Sequence, residues 1–341
     1  MKRLSSLKII YLVLSFGLFA IALLSVWFGT AEISFEDVFK IIANALFRTD
    51  IFSVNHTSQI IVLQLRLPRM ILALLCGASL GVSGSVLQCL FNNPMADPYV
   101  MGISSGAAFG VTLSVISGLG LPFLVQLSSF GGALLSVVLV LVLSGITGKP
   151  GQSLVILLSG IAVSLFFSAL TSMFMYLNQE QAEKIMFWTF GSLSGANWTK
   201  CFQIAVFVLP VLGLLFFQWK TLNLLSQGDE AARSLGIDPP KARLFLLILT
   251  SLITSFTVSV TGIIGFVGLM VPHILRLMMG PNHKTLLPLS ALGGALVLVL
   301  SDSISRVILS PSEIPVGIVT SLIGAPYLFL TIAMKQKVRI P

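Results

Sequence analysis

Apolar residues fall in long blocks along the chain, at positions 9–28, 66–90, 103–119, 122–146, 153–177, 199–219, 243–262, 263–280, 286–304 and 314–334. Each block holds about 17–25 residues, the length at which an α-helix crosses the hydrocarbon of a bilayer. The pattern predicts an all-α polytopic membrane protein with about ten transmembrane helices, read as one domain over residues 1–341. Positions 243–280 form one apolar stretch, which Gly262, Gly265, Gly268 and Pro272 divide into two helices. An even number of spans places both termini on the same side. Met1-Lys2-Arg3 and Lys8 resemble the basic start of a signal peptide, but the apolar run behind them is too long for one. It reads as an uncleaved first helix with its N-terminus inside. Residues 30–65, with Glu32, Glu36, Asp37 and Asp50 among short amphipathic pieces, suit the outer surface.

Composition sharpens this picture. Of 341 residues, 56% are hydrophobic and 9% are Asp, Glu, Lys or Arg, whereas soluble domains devote about a quarter of their residues to charge. A cytosolic enzyme, a disordered chain and a secreted disulfide scaffold are excluded. The formal charge of +8 comes from basic residues scattered between apolar runs, so it points to membrane lipid and not to nucleic acid. With the N-terminus inside, thirteen of the 20 basic residues lie on the inner side and Lys40, Arg48, Arg66, Arg69, Lys184, Lys200 and Arg306 on the outer, as the positive-inside rule requires. Arg66, Arg69 and Arg306 break the rule at the mouths of spans. Cys76, Cys89 and Cys201 lie inside apolar runs with no disulfide or metal-ligand spacing and read as reduced packing residues.

Glycines recur at helical spacing, as Gly77, Gly81 and Gly84, as Gly102, Gly106 and Gly110, and as Gly262, Gly265 and Gly268. Small residues three or four apart let helix backbones approach closely where lipid offers no hydrophobic contrast. Chemistry is sparse. No phosphate-binding loop occurs, since Gly145-Ile146-Thr147-Gly148-Lys149-Pro150 has the wrong spacing and a proline after the lysine. His56, His273 and His283 form no spaced set with Cys or carboxylates, so neither a metal site nor a catalytic residue is expected. Ten of the twelve acids fall in connecting segments, and Asp302 and Glu313 lie at the end of a span. An ion-driven carrier needs an ionisable group within the membrane, so energy supplied by another subunit is the better reading.

The polar segment 220–242 is where such a subunit would act. Asp229, Glu230, Ala231, Ala232, Arg233, Ser234, Leu235 and Gly236 start with helix-favouring acids and stop at a glycine, with Pro239-Pro240 beyond. They predict a short helix on the inner surface, either a contact for an ATPase or a solvated loop helix. Arg66-Leu67-Pro68-Arg69 opens the second span, with proline suited to a first helical turn. Its arginines either meet carboxylates of an external protein or snorkel to lipid headgroups.

With these motifs in view, the chain resembles the FecCD-type permeases, the membrane subunits of type II ABC importers for ferric siderophores, haem and cobalamin. The matching stretches are Arg66 to Arg69, Gly77 to Gln88, Phe91-Asn92-Asn93-Pro94-Met95-Ala96-Asp97-Pro98, Gly102 to Ala107, Gly191, Gly228 to Gly236, Gly262 to Arg276, Glu313 to Thr320 and Gly324-Ala325-Pro326. The resemblance implies a type II ABC importer permease fold, paired with a second permease copy or a paralogue around a central pathway. It implies two ATPase subunits inside, carrying ATP and magnesium, no cofactor in this chain, and an extracytoplasmic substrate-binding protein outside. By the same resemblance Arg66, Arg69 and Arg306 dock the binding protein, and Asp229, Glu230, Ala231, Ala232, Arg233, Leu235 and Gly236 form the coupling segment. Asn93 and Met95, with Gly151 and Gln152, occupy the inner-gate loops. The implied location is a bacterial or archaeal cytoplasmic membrane with both termini cytoplasmic. The implied cargo is a metal chelate, foremost a ferric siderophore, with haem, cobalamin or an oxyanion such as molybdate as alternatives. An ATPase-independent carrier or channel and a non-transporting scaffold are the readings from other classes.

Overall fold

The computed structural model describes residues 2–29, 31–47, 51–145 and 152–337. Among them there is no β-strand. Helix α1 spans Lys2–Trp27 and is followed by the short amphipathic α2, Phe35–Phe47. Helix α3, His56–Ile60, runs without interruption through a π-helical turn, Ile61–Arg66, into α4, Leu67–Leu90. The second span is therefore longer at its start than the apolar run predicts, and the cause is local. Pro68 has no N–H to give the helical ladder, and widening the preceding turn, where Leu67 N–H bonds Val62 O, lets the helix pass.

A 3-10 turn, Pro98–Met101, precedes α5, Ile103–Ile116, and then come α6, Pro122–Ser144, α7, Gln152–Leu177, and α8, Gln179–Thr189. Next are α9, Trp198–Phe217, the short α10, Trp219–Leu225, and α11, Asp229–Ser234. The chain finishes with α12, Pro239–Thr261, α13, Val267–Met279, α14, His283–Val307, and α15, Val316–Lys337. Seven described helices are long and apolar enough to cross a membrane, and α5, α13 and α15 are shorter apolar helices at the remaining predicted runs. Residues 262–266 separate α12 from α13, as the glycine punctuation predicts.

Burial sorts the helices into a centre and a periphery. In the most apolar windows of α3–α4 and of α12, 72% of residues are buried, against 28% in α6, α7 and α9 and 11% in α1. The central α4 owes this position to its small side chains. A Cβ placed on Gly77 or Gly81 would strike the carbonyl oxygen of Gly294 or Ser290 in α14, and one on Gly84 would strike that of Gly268 in α13. Ser79 Oγ and Thr257 Oγ1, 2.7 Å apart, tie α4 to α12. Polar bonds between helices replace the hydrophobic contrast that lipid does not supply. The glycine series 102–106–110 has a mixed role. Gly106 and Gly110 face backbone carbonyls of α6, whereas Gly102, at φ +72°, caps the start of α5.

The series 262–265–268 is not the face of one helix. Gly262 sits at φ +72° and ends α12, and only Gly268, with Pro98 Cγ and Leu80 O against it, is a packing glycine in a helix. Gly265 has open space where a side chain would start, the nearest atom being Ser321 Oγ at 3.8 Å. Cys76, Cys89 and Cys201 are buried free thiols.

Candidate functional site

One end of the bundle, formed by the end of α1, the start of α4 and the end of α14, gathers the arginines. Arg66, Arg69 and Arg306 are only 5%, 9% and 3% exposed. Arg66 donates to Val26 O at 3.1 Å, Trp27 O at 2.5 Å and Ala31 O at 2.5 Å, so it closes the open carbonyls at the end of α1. Gly29 allows this approach, since a Cβ there would lie 2.7 Å from Arg66 Nη2. Arg306 donates to Phe28 O at 3.0 Å and Ser25 Oγ at 3.2 Å, on the same helix end. Arg69 Nε lies 2.9 Å from Asp302 Oδ1, Arg69 Nη1 lies 2.8 Å from Glu313 Oε2, and Arg306 Nε lies 3.3 Å from Asp302 Oδ2.

The structure thus brings the three arginines together and turns them inward onto partners within the chain. A buried guanidinium needs acceptors for its five N–H groups, and the chain supplies them from two carboxylates and the end of α1. Asp302 and Glu313 are the partners that sequence reasoning left at a span end. The spacing of Asp302 and Arg306, four apart on one helix, is the signal that pairs them. A hollow of about 340 Å³ remains above the cluster, lined by Arg66, Arg69, Arg306, Glu313 and Ser194 among others.

At the opposite end, α11 is the short helix expected there, and it stops before Gly236. Asp229 faces the bundle, where Arg243 of α12 grips it through Nη1 to Oδ2 at 2.9 Å and Nη2 to Oδ1 at 2.8 Å. Planar two-point pairing of this kind fixes orientation as well as position. Ala232 is fully buried beneath the helix and Ala231 half-buried, while Glu230, Arg233, Leu235 and Gly236 are exposed, Leu235 at 64%. The segment therefore divides into an anchored side and a presented side. Arg243 was not singled out from sequence, because nothing in its spacing to Asp229 marks a pair across two elements.

The loop after α4 is tightly ordered. Asn93 Oδ1 accepts from Met95 N–H at 3.0 Å, both residues are half-buried, and Asn93 N–H donates to Gln88 O at 3.1 Å. Gly151 lies outside the described residues, as does the side chain of Gln152. The loop is fastened across the bundle by Tyr99, whose hydroxyl donates to Ile264 O at 3.0 Å and accepts from Ile264 N–H at 3.2 Å. Asp97 Oδ1 accepts from Tyr99 N–H at 2.8 Å and caps the 3-10 turn. Burial pushes its carboxyl up from 3.8 to about 6. The folded chain then holds a proton that the unfolded chain releases, so this contribution is full below pH 3.8 and is lost as the pH rises through about 6. Asp97→Asn, which keeps the cap, is expected to flatten the fall in melting temperature over that interval; an unchanged pH profile refutes the assignment.

Beside the break at 262–266, a hollow of about 370 Å³ is walled by Thr189, Phe190, Ile263, Gly265, Ile318 and Ser321 with their neighbours. Its surface is apolar and small-residue in character. Such a wall lets a bulky solute pass without holding it. No grouping of His, Cys, Asp or Glu able to hold a metal occurs among the described residues.

Relatives match this architecture along nearly its whole length. The model of the FecCD transport family matches residues 17–335. The chain is 40% identical over 293 residues to the hemin transport system permease protein HmuU of Yersinia pestis, covering 84% of this chain and 86% of that one. It is 35% identical over 337 residues to the Fe(3+)-citrate import system permease protein YfmD of Bacillus subtilis, covering 98% of each. A solved structure described as an inward-facing metal-chelate type ABC transporter aligns with a TM-score of 0.83 at 32% identity, over 96% of this chain and 99% of that one. The chain belongs to the FecCD transport family and has the fold of its multi-pass ABC importer permeases.

Proposed function

We propose that this chain is the permease subunit of an importer that carries a metal chelate, foremost a ferric siderophore, across the cytoplasmic membrane. The observation that carries the reading is the state of Asp302. It lies at the end of the α14 span, and it is 1% exposed and bonded to both Arg69 and Arg306. A residue so committed is unavailable to bind and release a coupling proton or cation. Energy then comes from partner ATPases, which bind ATP and magnesium and press on the presented side of α11. One relative is named for Fe(3+)-citrate and another for hemin, which is itself an iron complex, and this favours an iron chelate. Haem, cobalamin and molybdate are the alternatives within the same architecture.

In this arrangement the termini and α11 lie in the cytoplasm, and the arginine end faces the substrate-binding protein. The hollow above Arg66, Arg69 and Arg306 would receive an acidic side chain from that protein, since Arg66 has no carboxylate of its own. A second permease copy or paralogue completes the pathway beside the apolar hollow.

The test is uptake in proteoliposomes holding the complex recovered with its ATPase and binding protein. Ferric siderophore uptake is expected only with ATP. Arg243→Ala is expected to reduce it about tenfold, the effect of roughly 1.4 kcal/mol, by releasing α11 while leaving membrane insertion unchanged. Uptake by the chain alone under an imposed ion gradient sinks the reading.

A further inference from the structure

At the arginine end, distinct from the arginine hollow and the apolar hollow, a separate cavity of about 490 Å³ opens between the first turns of α6 and α9, the last turn of α12 and the stretch 187–197. Lys200 lies in its wall, half-buried, and its ammonium has no hydrogen bond or ion pair with any described residue. No carboxylate of the described residues lines the cavity. The side chains of Gln126, Thr199 and Gln203 also line it and make no bond with the described residues. Donors therefore converge on a space that holds no anion from the described residues.

A lysine with nothing to bind would extend its ammonium into water. Withdrawing it into a wall without a counter-ion is unfavourable, so the cavity is suited to a ligand that brings negative charge. The other half of the lining is apolar, with Phe123, Phe187 and Trp188. Helices α6 and α9, which form two of its sides, are among the less buried spans, 28% each, and so leave much apolar surface outward along which acyl chains can lie. A ligand with a single anionic head and long apolar chains matches both halves.

We propose that this cavity binds the phosphodiester headgroup of an anionic phospholipid, with Lys200 on the phosphate and the acyl chains along α6 and α9. Thr199, Gln126 and Gln203 complete the polar contacts. The site adjoins the break that walls the apolar hollow. Ser192 N–H bonds Thr261 O at 2.7 Å, and Gly262 packs on the carbonyl of Trp188, so a bound lipid braces the backbone on which the pathway wall rests. The inference does not depend on the identity of the transported solute.

Native mass spectrometry of the delipidated full chain, titrated with dioleoylphosphatidylglycerol, dioleoylphosphatidylcholine or inorganic phosphate, provides the test. Phosphatidylglycerol is expected to bind, with Lys200→Gln weakening it about tenfold or more, an effect of about 1.4 kcal/mol, and Lys200→Arg retaining it. Lys284→Gln, at the opposite end where the ammonium lies 5.4 Å from the Trp219 ring, is expected to change nothing. Equal phosphatidylglycerol binding by wild type and Lys200→Gln overturns the proposal, as does equal binding of phosphatidylcholine. Displacement by equimolar inorganic phosphate also overturns it, by showing a site for a soluble oxyanion.

Discussion

Asp302→Ala is expected to unfold much of the purified chain, at a cost of about 3–5 kcal/mol, the range found when one partner of a buried ion pair is removed. The carboxylate is 1% exposed and answers two guanidiniums, Arg69 at 2.9 Å and Arg306 at 3.3 Å. Without it, Arg69 keeps only the exposed Glu313, and Arg306 keeps carbonyl and hydroxyl partners but no anion. Glu313→Ala should cost no more than about 1 kcal/mol, because that side chain is 32% exposed and water replaces much of what is lost. Replacing Arg69, Asp302 and Arg306 together by apolar residues of similar volume is expected to recover most of the stability, since it removes the charges along with their pairing. Thermal unfolding of the full chain in detergent distinguishes these variants. A melting temperature for Asp302→Ala equal to that of wild type would mean that the cluster is not the fastening it is drawn to be.

The second large effect concerns how close two backbones come. Gly84→Ala places a methyl group on the carbonyl oxygen of Gly268, which belongs to a helix and cannot swing aside. Overpacking commonly costs about 1–3 kcal/mol, and a contact with rigid backbone lies at the upper end of that range. Gly265→Ala, three residues from Gly268, is expected to be neutral within about 0.5 kcal/mol, because its new methyl meets nothing nearer than 3.8 Å. Unfolding midpoints of the two variants in one detergent check the contrast. Equal loss at both positions would mean that the glycine spacing acts only through backbone flexibility.

These two sites also show what was legible in the sequence. Apolar run length marks the spans, and even the division of 243–280 is announced by Gly262. The capped α11 follows from its acids, its alanines and Gly236. Spacing alone does not tell a packing glycine from a cap, so Gly84 and Gly265 read alike until backbone φ and the opposing helix are known. Arg69 likewise reads as an outward cation, because its partner Asp302 is 233 positions away and no local pattern links them. Helix α8 carried no long apolar run and was not foreseen. The pairing of Asp229 with Arg243 crosses from one helix to the next and depends on the turn at Gly236, so it is a tertiary fact.

The end of α1 has a consequence for how the protein is made. Its last carbonyls are closed by Arg66 and by Arg306, the latter bonded to Phe28 across 278 positions of chain. Helix α1 is synthesised well before α14, yet the Phe28 carbonyl is closed only after Arg306 has emerged. Contacts so distant in sequence form late, after the loop between them has been closed. A helix made early is thus fully secured only by a contact made late.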